Sequence, residues 1–463
     1  MNDSSNKFQK PVSDGYRGHE LRAQPAPDPE LTAVGPGTPC GEYLRRFWQP
    51  VAMTSDVGDL PYAVRILGED LVLFRDLSDR YGLFHRHCCH RGASLEYGIV
   101  MERGLKCCYH GWHYDVDGVI IDIPSEPPNS ALKRRVQQGA YPVTECQGIV
   151  FAYLGPSALR PEFPVFDSMV AAESDPGSEA IPFALTTPCN WLQVYENTQD
   201  PVHVVHLHAR SSGVQFGVAS GIEQVIDYRE TPLGMINIQT RQCGDLIWTR
   251  TTDSILPNGN QTGAIWEEAE TEKLMQGTSM LRWMVPIDDV NTVTIGWRYF
   301  SEPLDPRGQG DKSLVGRETI DFIGQSPNRS YEAAQRNPGD YEAQVSQRPI
   351  AIHELEHLAG SDRGVAKLRR LIRDNIRALA AGSEPPQPRS RRGADQSVST
   401  YCRDNVYRLS SDLEINDKLL AQAGSAVADG LIEDGSQSDR DRLLSMARRL
   451  SELQRPVEKE SKR

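Results

Sequence analysis

The chain is short of basic charge: 50 Lys and Arg stand against 63 Asp and Glu, a formal net charge of −13 over 463 residues. A nucleic-acid binder carries a basic footprint, so the balance argues against that class. No apolar run approaches the ~18–20 residues that a membrane helix requires. The opening stretch, MNDSSNKFQKPVSDGYRG, has neither an apolar core nor a small-residue cleavage site. No secretory signal is therefore expected, and the expected compartment is the cytoplasm. In that setting nine cysteines point towards metal more than towards a disulfide framework. The Cys-x2-Cys pair of structural zinc sites is also missing, as is any internal repeat.

What the chain does contain is concentrated. Between His85 and Tyr114, HRHCCHRGASLEYGIVMERGLKCCYHGWHY holds four cysteines and five histidines. The stretch reads as Cys88-x-His90, sixteen residues, then Cys107-x2-His110. One cysteine and one histidine on each of two loops is the arrangement of a Rieske [2Fe–2S] centre, two thiolates on one iron and two imidazoles on the other. Cys89 adjoins His90 and is expected to point away, and Cys108 would shorten the second loop to Cys-x-His. Cys88, His90, Cys107 and His110 are thus the candidate ligands. His85, His87 and His113 read as strand and turn residues. A zinc-dependent binding module is the competing metal reading.

Around this cluster, short β-type runs broken by glycine (AVRILGEDLVLFRDL, YGLFHRH, GIVFAYLGP) predict a small β-rich domain over 31–156, after a proline-dotted arm at 1–30. Residues 157–382 change character. Alternating runs such as MINIQTRQ, DLIWTRTT, SMLRWMVPI and NTVTIGWRYF predict an antiparallel sheet. The stretch IHELEHLAGSDRGVAKLRRLIRDNIRALAAG predicts a long amphipathic helix stopped by glycine. Residues 383–463 read as a linker and a charged, partly helical extension.

A second constellation lies in ENTQDPVHVVHLH, which offers Asp200, His203 and His208. Two histidines and a later carboxylate make the facial triad of non-haem iron sites. Residues five apart lie about 140° apart on a regular helix, so this spacing needs a distorted or ending helix. His206 is the alternative partner, at i, i+3 from His203.

The motifs CCHRGA and CCYHGWHYDVDG resemble the cluster loops of the Rieske non-haem iron ring-hydroxylating oxygenases, in which the second loop position is often proline. NWLQVYENTQDPVHVVHLH is similar to that family's iron motif. The resemblance spans about residues 30–380 and is strongest to the phthalate-type oxygenase (alpha) subunits. It implies an α+β chain: a β-rich Rieske domain, then a helix-grip catalytic domain of antiparallel sheet and helices. It implies that His203 and His208 ligate a mononuclear Fe(II). It also implies that Asp200 bridges to the cluster histidine of a neighbouring subunit, His110. NPGDYEAQVSQRPIAIHELEHLAGSD resembles the family's C-terminal region, where the aligned third ligand is Asp340, with Glu342 its neighbour and rival. Asn291, in VPIDDVNT, stands where many relatives carry histidine, while Asp288 and Asp289 are expected to serve a turn.

The implied activity is O2-dependent mono- or dioxygenation, or oxidative O- or N-dealkylation, of an aromatic substrate, an aromatic carboxylate or aryl ether. The implied partners are an NADH-dependent flavin/[2Fe–2S] reductase or a ferredoxin, and further copies of the chain in a homotrimer or stacked trimers. The rival reading is a Rieske-type electron carrier with a degenerate second domain. Trp283 and Trp297 are candidates for either the substrate pocket or the core.

Overall fold

Glycine-punctuated strands build three small antiparallel sheets in the first third of the chain. In the computed structural model, the described residues are 18–454, apart from positions 20, 23, 128–129, 212–214, 391–396, 411 and 433–437. Most of the arm expected at 1–30 lies outside them. Ile149–Tyr153 is the centre of one sheet, flanked by Trp48–Met53 and Val143–Cys146. A second sheet runs Tyr62–Ile66, Glu69–Arg75, Tyr81–His85, Ala140–Tyr141. Its first hairpin turns on Leu67 and Gly68, with φ of 50° and 73°. Two left-handed residues match the twist of the strands they join, and glycine takes the second position without strain. The third sheet, Ile99–Val100, Leu105–Lys106, His113–Tyr114 and Ile120–Asp122, carries the second cluster loop.

The Leu67–Gly68 turn also joins this domain to the next. Leu67 N and Gly68 N donate to Pro286 O and Ile287 O at 2.8 and 2.9 Å. Those carbonyls lie on one strand of a large antiparallel sheet. Its main path runs Glu179–Thr187, Asn291–Phe300, Met280–Asp288, Gly259–Thr262, Leu246–Ile255, Gly234–Cys243, Val225–Thr231. Strand alternation sends Met280, Arg282 and Met284 to one face and Leu281, Trp283 and Val285 to the other. Trp283 and Trp297 pack with Phe151 of the first domain at centroid distances of 5.4 and 5.8 Å. Both are therefore core aromatics that lock the two domains together. Asp288 accepts from Val290 N and Asn291 Nδ2, and Asp289 accepts from Val34 N. All three residues serve the hairpin turn and its contact with the N-terminal segment.

Three expectations need correction. The long helix occupies Arg363–Ala380, and His353–Leu355 and Gly360–Asp362 are separate 3-10 turns. The buried stripe begins at Val365 and continues through Leu368, Ile372 and Ile376, whereas Leu358 is exposed, so nothing buries the earlier turns as helix. At the N-terminal boundary, Leu31 O accepts from Trp191 Nε1, and Asp28 pairs with Arg373. The segment from Asp28 to Leu44 thus packs on the larger domain.

The region beyond 382 is also not an appendage throughout. Arg403–Tyr407 is a fully buried strand paired with Leu246–Ile255. Its charged letters suggest a surface tail, yet Asp404 is bonded to Arg250 and Trp248 inside the fold. Helix Asp417–Ile432 covers the sheet at Val225–Thr231 and Gly234–Cys243, with Asp439–Glu452 against it.

Candidate active site

Two loops of like build project from the third small sheet and its neighbour. In the first, Gly92 N donates to Cys88 O at 2.9 Å; in the second, Gly111 N donates to Cys107 O at 3.1 Å. Each glycine stands four residues after its cysteine with φ near +70°, 74° and 72°. A left-handed residue there lets the chain turn back and close the loop, and glycine takes that conformation without strain. Cys88 and Cys107 are buried within an apolar cluster that includes Phe84, Leu105, Trp112 and Tyr114. His90 and His110 sit outside it with ring centroids 4.7 Å apart, and His90 stacks on Trp112 at 4.6 Å.

Inward thiols and outward imidazoles fit a [2Fe–2S] group of the Rieske kind. Desolvation at the loop, with the nearby His110 and Arg91, lowers the His90 imidazole from its ordinary value. Tyr114 Oη lies 2.9 Å from Cys88 Sγ and 3.5 Å from Cys89 Sγ. Cys89 and Cys108 are exposed. The sequence suggests that Cys89 points away, but its thiol reaches the shared phenol and does not turn fully outward. The other histidines have structural partners: His85 Nε2 meets Tyr141 Oη, His87 Nδ1 meets Gly92 O, and His113 Nε2 meets Arg103 O.

In the larger domain the helical turn Val202–Val205 passes into a π-helical turn at His206–Ser211. An i→i+5 coil returns residues five apart towards one face, the distortion that the His203/His208 spacing requires. Asp340, the first residue of helix Asp340–Val345, closes the group. Its Oδ1 lies 3.1 Å from His208 Nε2 and 3.4 Å from His203 Nε2. One donor atom from each of the three residues lies within 4.8 Å of the others. Burial alone would raise the Asp340 carboxyl. The facing His208 and His203 and the Gln325 amide overcome it and hold the group well below the carboxylate range.

The donor set, two imidazoles and one carboxylate, is that of a mononuclear non-haem iron site. Its outer partners fix the donors. Gln215 Oε1 meets His208 Nδ1 at 2.8 Å, and His203 Nδ1 contacts Asp200 O. Asn197 Nδ2 and Gln325 Nε2 donate to the two Asp340 oxygens at 3.0 and 2.7 Å. His206 is exposed and apart. Glu342 instead caps Gly339 N and pairs with Arg329. Asp200 is partly exposed, caps Val202 N, and has a carboxylate oxygen 3.8 Å from His203 Nδ1. Behind it, Glu196 is buried against Arg369, and burial pushes its carboxyl up against that attraction.

A cavity opens from His203, His208 and Asp340 between apolar Phe216, Ile265 and Phe322 and polar Thr252, Gln239 and Arg282. Sequence reading passed over Gln215 and Arg282. For Arg282 a signal existed: within SMLRWMVPI it shares parity with Met280 and Met284, so it shares their face. Gln215 has no motif and is placed only by the fold.

The Rieske [2Fe-2S] domain family matches residues 47–142. Over 412 residues the chain is 46% identical to the tert-butanol monooxygenase / tert-amyl alcohol desaturase oxygenase subunit of Aquincola tertiaricarbonis, covering 85% of this chain and 86% of that one. It is 38% identical over 372 residues to the phenoxybenzoate dioxygenase subunit alpha of Ectopseudomonas oleovorans, covering 78% and 87%. The fold matches Pseudomonas putida CBB5 NdmB with a TM-score of 0.55 at 19% identity, over 77% of this chain and 96% of that one. Likeness at this identity and over most of both lengths, running through both domains, places the chain among the Rieske non-haem iron oxygenases, as an oxygenase (alpha) subunit.

Proposed function

We propose that the chain is a terminal oxygenase for an aromatic carboxylate or aryl ether, which it hydroxylates or oxidatively O- or N-dealkylates with O2. Cys88, His90, Cys107 and His110 hold the [2Fe–2S] cluster; His203, His208 and Asp340 hold the iron. In this family electrons come from NADH through a separate reductase. The proposed donor here is a flavin/[2Fe–2S] reductase or a ferredoxin, and the proposed assembly a homotrimer or stacked trimers in the cytoplasm. When bound, the iron supplies redox chemistry with open positions for O2 and the cluster supplies single electrons.

The chain's own residues prepare that site. The Gln215 contact holds His208 in the tautomer whose Nε2 faces Asp340. Asn197 and Gln325 keep the carboxylate from rotating. Phe216, Ile265 and Phe322 present an apolar wall suited to a ring and exclude water beside the reacting position. Asp200, at the edge of the site, is the proposed electron bridge to a neighbour's His110. Asp200→Asn should leave both metal groups bound and slow product formation, and unchanged turnover would refute the bridge.

The observation that carries this reading is the convergence of His203, His208 and Asp340 at the floor of a cavity with an apolar wall. An oxygenase should contain about three irons per chain, two in the cluster and one alone, against two for an electron carrier. With a compatible reductase, O2 uptake should rise with a member of a panel of aromatic acids and aryl ethers, with product formed in step. The Aquincola relative is named for a tertiary alcohol, so tert-butanol belongs on the same panel. Two irons per chain and no substrate-coupled uptake would defeat the proposal.

A further inference from the structure

Three guanidinium groups line the cavity beside the iron-site residues: Arg241, Arg250 and Arg282. Their environments differ. Arg250 is neutralised, with Nε and Nη2 on the two Asp404 oxygens at 2.8 and 3.0 Å. Arg241 is tied into the wall, donating to Ser220 O and Gln239 Oε1 at 3.0 and 2.9 Å and lying over Trp248. Arg282 has far less. Its Nε donates to Asn260 Oδ1 at 3.3 Å, and among the described residues its Nη1 contacts only Met280 Sδ, at 3.8 Å. Among the described residues no carboxylate lies within ion-pair distance of it, and nothing bonds its Nη2. The nearest acid in the cavity, Asp340, is committed to two histidines, Asn197 and Gln325.

An enclosed cation without a counter-ion is destabilising, and an apolar residue of similar volume would remove the penalty. Burial lowers the Arg282 guanidinium to about 10, with Asp340 acting in the opposite direction, so it is still charged at neutral pH. Bound Fe(II) would add to the positive excess. Among the described residues Arg241 also lacks a paired carboxylate, but wall oxygens take up its N–H groups, whereas those of Arg282 are left open to a counter-charge from outside. A planar guanidinium with free N–H groups suits a carboxylate, which it can hold through two parallel bonds. Resting on the oxygenase reading above, we propose that Arg282 is the specificity residue that binds the carboxylate of an aromatic acid substrate. Its pull sets the ring against Phe216 and Phe322 and so fixes which ring position faces His203, His208 and Asp340.

The test compares acids with their methyl esters, which keep the shape and lose the charge. Binding of benzoate, phthalate and 3-phenoxybenzoate, and of each methyl ester, is measured by calorimetry on the metal-loaded wild type, Arg282→Gln and Arg282→Lys. Iron content and cluster spectrum serve as the check on folding. Wild type should bind at least one acid about tenfold or more tighter than its ester, as expected for a charge-assisted bond. Arg282→Gln should lose that preference while its ester affinity stays within about twofold, and Arg282→Lys should keep part of it. If no acid outbinds its ester in wild type, or if Arg282→Gln keeps the preference, the assignment is wrong. A residue that served only to position Asp340 would alter iron content and leave the acid-to-ester ratio unchanged. The two readings fail separately. Acid-selective binding without substrate-coupled O2 uptake would sink the oxygenase reading alone, and coupled uptake on neutral compounds without acid preference would sink the Arg282 assignment alone.

Discussion

Gln215 Oε1 accepts from His208 Nδ1 at 2.8 Å, while its own Nε2 donates to Pro338 O at 3.2 Å. One neutral amide thus ties the π-helical turn carrying His208 to the segment just before Asp340. It sets the imidazole tautomer and the spacing of two proposed metal donors together. Removing such a partner typically lowers metal affinity by about 10- to 100-fold. Gln215→Leu should lose iron to a chelator at correspondingly lower chelator concentration, with the cluster spectrum unchanged. Equal iron retention in variant and wild type would mean that the amide has no part in holding the site.

Asp340 and Glu342, two residues apart, make opposite predictions. Asp340 faces both histidines, and Glu342 faces Gly339 N and Arg329. Asp340→Asn should abolish mononuclear iron and turnover while the [2Fe–2S] spectrum remains. Glu342→Gln should keep iron and activity and destabilise the fold by about 1 kcal/mol through a weakened cap and ion pair. Iron lost from Glu342→Gln and kept by Asp340→Asn would reverse the assignment.

The phenol of Tyr114 offers a lever on the cluster. It is buried, and its hydroxyl lies 2.9 Å from Cys88 Sγ. A hydrogen bond to a ligand sulfur favours the more electron-rich reduced state and so raises the potential. Tyr114→Phe should lower the midpoint, by about 59 mV for each tenfold by which the bond favours reduction. A redox titration followed by visible circular dichroism reads this directly. No shift, with an intact spectrum, would mean that the hydroxyl donates elsewhere.

These partners show where sequence reading stops. The cluster loops are legible because Cys88 to His110 is one short stretch whose spacing carries the chemistry. For His203 and His208 the interval demands only a distorted or ending helix and leaves His206 open; the family resemblance makes the choice, and the fold supplies the distortion as a π turn. Asp340 lies 132 residues from His208, so only a family resemblance could bring it near. Arg282 and Gln215 are hidden differently. Each is a polar residue whose meaning depends on what it faces, and one chain without its fold does not disclose that. The strand Arg403–Tyr407 misleads outright, since its charge is paid for by Asp404 with Arg250 and Arg403 with Asp167, pairs that form only after folding.

The same C-terminal region yields a pH prediction. Asp253 is buried, accepts from Tyr401 N through Oδ2, and among the described residues has no partner for Oδ1. Burial pushes its carboxyl up to about 7 from 3.8, with Asp167 adding to the rise and the Tyr401 bond, Arg403 and Arg442 opposing it. A carboxyl raised in the folded state binds its proton more tightly there than in the unfolded chain. Its stabilisation is full below the unfolded value and is lost as pH rises through about 7. The slope from this one group approaches about 1.4 kcal/mol per pH unit within that window. Asp253→Asn cannot titrate, so its stability should fall less steeply between pH 4 and 7 than that of wild type. Relative to wild type, the variant should gain as pH rises and level off above 7. Denaturant midpoints of both proteins, taken at steps across the window, give the difference curve. A flat difference would show that Asp253 keeps an ordinary carboxyl in the folded protein.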